Sequence, residues 1–484
     1  MVNGTTSFWD TSVWSSIMQM GILFLILVLG NMIRRKIGII RRSLLPTSVI
    51  GGLIVFGLKF IPQFNALIDV AYMEQLTYHT LGIGFICMAL KKSDDSNRSN
   101  TGTVINTGIL TVNTYLIQAL VGGITTVALS ATIMKTLFPA AGLLLPMGFG
   151  QGPGQALNFG KVYEELGFDG GVSFGLSVAS VGFIAACIIG VIAINILVRK
   201  GKVVRAADVS NSTYISEQEV SNPNEIPLSE SVDKLTIQVA FVIGIYFVTY
   251  LLMKLASDAS CKYLGNFGVN TLRPLIWGFN FLFGTLVALL FKGSMKVLTK
   301  GKLMKRQYTN NFLLNRMCGL MFDLMIISGV ASIEVYDISK YLLPFGIICG
   351  VGTIFTYVYL LIACKKLYPD YKYQMFFAMF GMLTGTASTG MILLREVDPT
   401  FDTPAANNLV LQNVPAMLFG FPIMLLMPLA GQSWMNALIV LGIVLALFIV
   451  YNIIMFRSFI FKKKNKQGDA EEAAEAVPEE SAAE

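Results

Sequence analysis

The chain has 484 residues, of which 54% are hydrophobic and only 13% charged, about half the ~25% of an ordinary soluble protein. Three soluble domains of ~150 residues each, a secreted disulfide scaffold and a disordered chain are all excluded, because apolar runs long enough to cross a ~30 Å hydrocarbon layer recur along nearly the whole length. The net charge of +7 is a topology signal and not a nucleic-acid signature: the acids after Gly468 leave +14 on the preceding chain, and its Lys and Arg gather in short loops beside apolar spans.

The first apolar run, 14–33, has no basic residue before it and Arg34, Arg35 and Lys36 after it, so it is a membrane helix and not a secretory signal. Further crossings are expected at 43–60, 76–90, 104–131 and 171–198. Beyond them come 235–256, 273–291, 311–333, 340–363, 404–430 and 434–461. That makes about eleven. Two other stretches, 138–166 and 375–398, are apolar at their ends but have polar, glycine-rich centres, Gly-Phe-Gly-Gln-Gly-Pro-Gly-Gln (148–155) and Thr-Gly-Thr-Ala-Ser-Thr-Gly (384–390). Each reads as a re-entrant hairpin that enters and leaves on one side. The Ser, Asn, Glu and Pro composition of the 199–234 region marks a cytoplasmic linker, and 462–484 is an acidic tail. Five of the six cysteines lie in or beside apolar runs, Cys261 lies in a loop, and no disulfide or zinc framework is legible.

With both broken stretches re-entrant, most of the 36 Lys and Arg fall on one side, which the positive-inside rule makes cytoplasmic. The N-terminus is then outside and the C-terminus inside, in a cell (inner) membrane. Sliding the chain on itself by 233 residues superposes the two broken stretches, Gly152 on Gly385, and brings Gly-Phe-Asp (167–169) onto Thr-Phe-Asp (400–402). Helices 104–131 and 340–363 coincide as well, as do 171–198 and 404–430. The expected fold is an all-α polytopic membrane protein with an inverted 5+5 helix repeat. Its N-terminal half is 1–198 and its C-terminal half 235–430, each with one hairpin, and one extra helix follows in 431–461.

Irregular backbone at membrane depth costs several kcal/mol per unpaired polar group unless it faces protein or a wet cavity, so paired breaks point to a secondary transporter. The arm after each tip starts a helix, with Pro153 in the first turn and Thr386 or Ser388 at an N-cap. Two helix N-termini near the midplane favour an anion, including one with two carboxylates.

Leu-Leu-Leu-Pro-Met-Gly-Phe-Gly-Gln-Gly-Pro-Gly-Gln-Ala-Leu-Asn-Phe-Gly (143–160), the following Gly-Phe-Asp and the closing Leu-Val-Arg-Lys (197–200) resemble the first signature region of the glutamate:sodium symporters. Arg-Arg-Ser-Leu-Leu-Pro-Thr-Ser-Val-Ile-Gly-Gly (41–52) resembles that family's second helix. The resemblance covers most of 14–430. It implies sodium-coupled uptake of glutamate, sodium as coupling ion with no other cofactor, a homodimer, and an elevator-like movement of the hairpins against a scaffold. The chain departs from the family at the first tip, with Gly-Gln-Gly-Pro-Gly-Gln (150–155) where the family has Gly-Gly-His-Gly-Thr, and the second tip keeps small and hydroxyl residues in a different order. A related small carboxylate or amino acid, or proton coupling, is the alternative.

The candidate substrate-binding residues are Gly150, Gln151, Gly152, Pro153, Gly154, Gln155 and Asn158 at the first tip, with Thr384, Gly385, Thr386, Ser388 and Thr389 at the second. Close helix packing through small residues and hydroxyl bonds to the helix's own carbonyls are the plainer readings. Asp323, an acid inside an apolar run, is a candidate ion ligand together with Gln412 and Asn413; an ion pair or helix-to-helix hydrogen bonds would equally account for them. Asn113 and Gln118 have a weaker claim because no broken helix adjoins them. Arg395 reads as a topology charge and His79, the single histidine, as a surface residue. The spans carry no His-Glu-x-x-His, no histidine pair and no nucleotide-binding loop, which argues against an intramembrane enzyme or a pump.

Overall fold

The computed structural model describes residues 8–42, 44–91, 101–204, 234–301, 308–398 and 402–475. Most of the expected linker, from 205 to 233, and the last nine residues of the acidic tail lie outside them. Every regular element among the described residues is a helix.

The first half holds α1 (Thr11–Lys36), α2 (Thr47–Leu58), α3 (Val70–Leu90), α4 (Thr101–Ala131), α5 (Pro153–Glu165) and α6 (Gly171–Arg199). The second holds α7 (Lys234–Phe267), α8 (Asn280–Lys300), α9 (Asn311–Ala331), α10 (Leu342–Leu367), α11 (Lys372–Thr384) and α12 (Ala387–Arg395). It continues with α13 (Asn413–Gly431) and α14 (Trp434–Glu475). Local chemistry sets several of these limits. The Asp10 carboxylate caps α1 by accepting from Ser12 N at 3.0 Å, and Arg34, Arg35 and Lys36 close it where the helix dipole favours cations.

Nine of the described helices are long and apolar enough to cross a membrane, so the chain is a multi-pass membrane protein. The expected crossing at 43–60 shrinks to the 12-residue α2, about 18 Å long and too short to span alone. The one at 76–90 belongs to a 21-residue helix whose first half carries Glu74, Gln75, Thr77, Tyr78 and His79. The expected helix at 273–291 is split at Phe279, and 404–430 is split at Gln412 into Ala405–Leu411 and α13. At the other end, α14 runs 14 residues beyond 461 and takes in the start of the acidic tail.

The packing units are not the two sequence halves. One body comprises α4, both broken segments, α6, α10, α13 and α14, and its extended apolar core reaches Val49, Leu81, Phe281, Met325 and Ile326 of the neighbouring helices. A second body comprises α1, α2, α3, α7, α8 and α9, which add two small cores of their own. Each half thus sends its first three helices to the second body and the remainder to the first. Small residues let helices of the second body close up: a Cβ added at Gly51 would lie 2.9 Å from Ile327, and one at Gly52 2.7 Å from Val330. Lys59, buried at the end of α2, donates to Ala331 O at 3.1 Å and Ile333 O at 2.8 Å, satisfying carbonyls that the end of α9 leaves open.

The two broken segments are placed by α10, 26 residues and about 39 Å long. At its start Tyr341 meets Phe168 with ring centroids 5.2 Å apart, beside the outer ends of the first segment, where Phe138 and Tyr163 are 5.2 Å apart on either side of the break. At its finish Tyr368 lies 5.4 Å from Tyr371, where the second segment begins. Each segment is interrupted by a break between two helical arms. In the second, a Cβ at Gly381 would come within 2.8 Å of Gly390 Cα across the two arms.

Candidate functional site

The first break is made by backbone chemistry. Pro146–Gly150 winds as a π-helix, a form common at functional sites, and Gly152 then adopts φ 83° and ψ −174°, which only glycine takes without strain. Pro153 starts α5 with its φ already suited to a helix, and the first-turn N–H groups of Gly154 and Gln155 have no intrahelical acceptor. In the second segment the helix stops at Thr384, Gly385 and extended Thr386 form the break, and α12 begins at Ala387. The breaks touch: a Cβ built on Gly152 would stand 3.6 Å from both Gly385 O and Thr386 Cγ2. Two helix N-termini of 13 and nine residues therefore start from one place, each with roughly half a positive charge.

Beside this junction lies a cavity of ≈ 110 Å³, room for roughly eight waters at ~10–15 Å³ each. The first body lines it with Tyr115, Gly150, Gln151 and Gln155, with Met382, Gly385, Thr386 and Ala387, and with Asn413, Ala416, Met417 and Met424 from α13. The second body closes it with Leu81, Phe85, Met88, Phe281, Phe322 and Met325. None of these described lining residues is charged. The Gln155 side chain is 1% exposed with both amide atoms unpartnered, and Gln151 Nε2 is buried and unpartnered as well. Buried polar atoms in native proteins are satisfied with few exceptions, so three such atoms in one cavity mark where a ligand's polar groups would sit.

Of the residues expected at the site, Gly150, Gln151, Gln155, Gly385, Thr386 and Asn413 line the cavity, with Gly152 beside Gly385 and Thr386. The others are engaged elsewhere. Pro153 packs against Gly329, and Gly154 against Leu81. Asn158 donates to Gly278 O at 2.8 Å, tying α5 to the interruption before α8. Thr384 bonds back to Phe380 O at 2.7 Å, Thr389 faces the Thr386 hydroxyl at 3.4 Å, and Ser388 is exposed away from the cavity.

The expected ion ligands do not form one cluster. Gln412 Oε1 accepts from Thr111 Oγ1 at 2.8 Å while its amide nitrogen lies 3.3 Å from Met382 S and from Asn413 Oδ1. Asp323 is exposed on a different face of α9 from Phe322 and Met325: it shares a face with Ile327, toward α2, and stands beside the Ser48 hydroxyl. His79 is exposed, as expected of a surface residue, with Nδ1 2.8 Å from Tyr246 OH.

Gln118 corrects the sequence reading, which denied it a broken helix. Its Nε2 donates to Leu383 O at 2.8 Å, just before the second break, and to Thr356 Oγ1 at 3.1 Å. Its Oε1 lies 3.2 Å from the Cβ position of Gly150, at the first break, where Tyr115 also presses on the glycine. One buried amide thus contacts both broken segments. The sequence signal was present, since Tyr115 and Gln118 sit three apart on one face of this span. The Met and Phe wall had no such signal, because lipid-facing and cavity-facing residues of these types look alike.

Near the helix ends the charges serve packing. Lys340 lies 2.7 Å from the Asp169 carboxylate, which holds its ammonium above the ordinary lysine value, and Lys161 lies 2.6 Å from Glu74, joining α5 to α3.

Among curated protein sequences, none matches the chain. The family model described as "Sodium/glutamate symporter" matches residues 14–402, four-fifths of the chain and both broken segments, and so the chain belongs to that family of transporters.

Proposed function

We propose that this protein is a sodium-coupled secondary transporter of a small carboxylate-bearing substrate, glutamate being the one that the family's description names, and that it works by an elevator-type movement. The observation that carries the reading is the uncharged cavity at the junction of two helix breaks, lined on one side by the helices that hold both breaks and on the other by α3, α8 and α9. The carboxylate sits at the starts of α5 and α12, where free N–H groups and the two helix dipoles converge, with the amides of Gln151 and Gln155 beside it. The elevator step slides the first body along α3, α8 and α9, so that the cavity opens to either side in turn. Movement of this kind requires breaking and remaking few polar ties, of which Asn158 to Gly278 and Lys161 to Glu74 are two.

The segments are re-entrant and the halves inverted in this proposal. The support is that the first segment's ends adjoin the start of α10 while the second begins at its finish. The N-terminus is then outside, the C-terminus cytoplasmic, the location a cell (inner) membrane and the assembly a homodimer. Sodium rests on the family. A neutral oxygen near the cavity that suits a hard cation is that of Asn413, with Gln412 one layer behind; Asp323 would serve a separate ion position.

Uptake by proteoliposomes of labelled glutamate and neutral amino acids, with and without a sodium gradient, tests the function; uptake unchanged when choline replaces sodium removes the coupling ion. For the topology, Asp169→Cys is labelled by impermeant thiol reagents from outside and Asp402→Cys only from the cytoplasm. Labelling of both from one side sinks the inverted arrangement.

A further inference from the structure

We infer that the cavity selects an α-amino acid with an apolar or thioether side chain over one with a second carboxylate, an inference that rests on the cavity being the substrate site. Three observations carry it.

The helix starts do not offer two separate anion positions. With Gly152 in contact with Gly385 and Thr386, α5 and α12 begin at a single point, so their two half-charges converge on one carboxylate. A second carboxylate four or five bonds away would need its own cation or donors, and no described lining residue is a Lys, Arg or His. Burying it without a partner is costly.

Gln155 presents an unpartnered donor and an unpartnered acceptor side by side in a 1% exposed side chain. A bare carboxylate would satisfy only the nitrogen. An α-amino acid head satisfies both, its carboxylate accepting from Nε2 and its ammonium donating to Oε1.

The rest of the wall is apolar and soft. Leu81, Phe85, Phe281 and Phe322 close it from the second body, and Met325 and Met417 add flexible thioethers that mould to an unbranched chain. A side chain directed away from the helix starts toward the second body meets these groups and loses hydration with nothing polar among them to replace it, which favours methionine or norleucine and disfavours glutamate.

The test is a binding and uptake series on the full-length protein in sodium: methionine, norleucine, glutamate and hexanoate, the last lacking the amino group. Norleucine and methionine are expected to bind at least about tenfold more tightly than glutamate, and norleucine about tenfold or more better than hexanoate. Gln155→Leu should weaken norleucine by about tenfold while leaving the protein's melting temperature near that of wild type. If glutamate binds more tightly than norleucine in the wild type and is lost in Gln155→Leu, the cavity is the substrate site and this inference fails. If the preferred ligand is indifferent to Gln155→Leu, or if none of the four binds, the site reading fails with it. The wild-type series depends on no variant folding.

Discussion

The two breaks meet at one point yet are built from opposite materials. The first is a glycine and glutamine turn whose side-chain amides are left without partners, Gln151 on its nitrogen and Gln155 on both atoms. The second is rich in hydroxyls, but Thr384 is spent on Phe380 O, Thr386 and Thr389 face each other, and Ser388 points away. At the proposed substrate site, the first break would meet a ligand through side chains, and the second through backbone N–H groups and shape. Gln118 stands behind both and holds them at a common height.

That contrast can be broken most forcefully at Gly152. Gly152→Leu places a side chain at φ 83° and into the junction, a backbone penalty of roughly 1–3 kcal/mol plus a blocked approach, and uptake should fall to background at unchanged membrane abundance. Wild-type uptake in this variant would falsify the paired-break site. Gly385→Leu is expected to behave similarly, because its added atoms meet Phe183 and Thr389 Oγ1 from 3.1 Å inward.

Next in size is Gln118→Leu. It deletes the bond to Leu383 O and leaves that carbonyl buried, at a cost of about 1–3 kcal/mol, so substrate affinity should drop roughly tenfold with a lowered melting temperature. Gln118→Glu should recover neither, since a carboxylate cannot donate to Leu383 O. A variant with affinity and melting both intact would show that the two breaks are aligned without this amide.

The contrast is sharpened by substitutions expected to do little. Thr384→Val and Ser388→Ala remove hydroxyls that do not face the cavity, and substrate affinity should stay within about twofold of wild type for each. A tenfold loss in either would mean that the second break binds through its side chains after all. Smallest of all is the effect of Asp323→Asn on substrate binding at saturating sodium: the carboxylate lies toward α2, and affinity should be unchanged. The same variant separates coupling ions. Under sodium coupling it weakens sodium dependence, whereas under proton coupling it retains exchange and loses accumulation driven by a pH gradient.

Much of the architecture is legible from residue order because lipid imposes one rule on every residue: a span must be apolar and its backbone bonded internally. Polar glycine-rich centres inside apolar stretches accordingly marked both breaks to within a residue or two, and Pro153 marked the start of the helix after the first. Element limits were less legible. The crossing at 43–60 became a 12-residue helix, and the split at Gln412 has no glycine to announce it, while the one at Phe279 follows a single Gly278 in a run that hydropathy reads as continuous.

Which way a side chain points was the part that residue order could not carry. Asn158 follows the first break by two turns and looked like a site residue, yet helical phase turns it to Gly278 O. Asp323 is next to cavity-lining Phe322, and the ~100° step between neighbours sends it to another face. Gln118 joined the site only because α4 passes behind both breaks, a juxtaposition across 238 and 265 residues of chain.

Composition and charge alone establish a multi-pass helical membrane protein with two interrupted segments, because hydrophobic length and basic clustering are properties of the chain read one window at a time. The grouping of helices into two bodies, the meeting of the breaks and the choice of cavity wall were decided only in three dimensions. In a bilayer the same Met, Phe or Leu is equally content facing lipid, a neighbouring helix or a ligand, and only packing against distant segments chooses among the three.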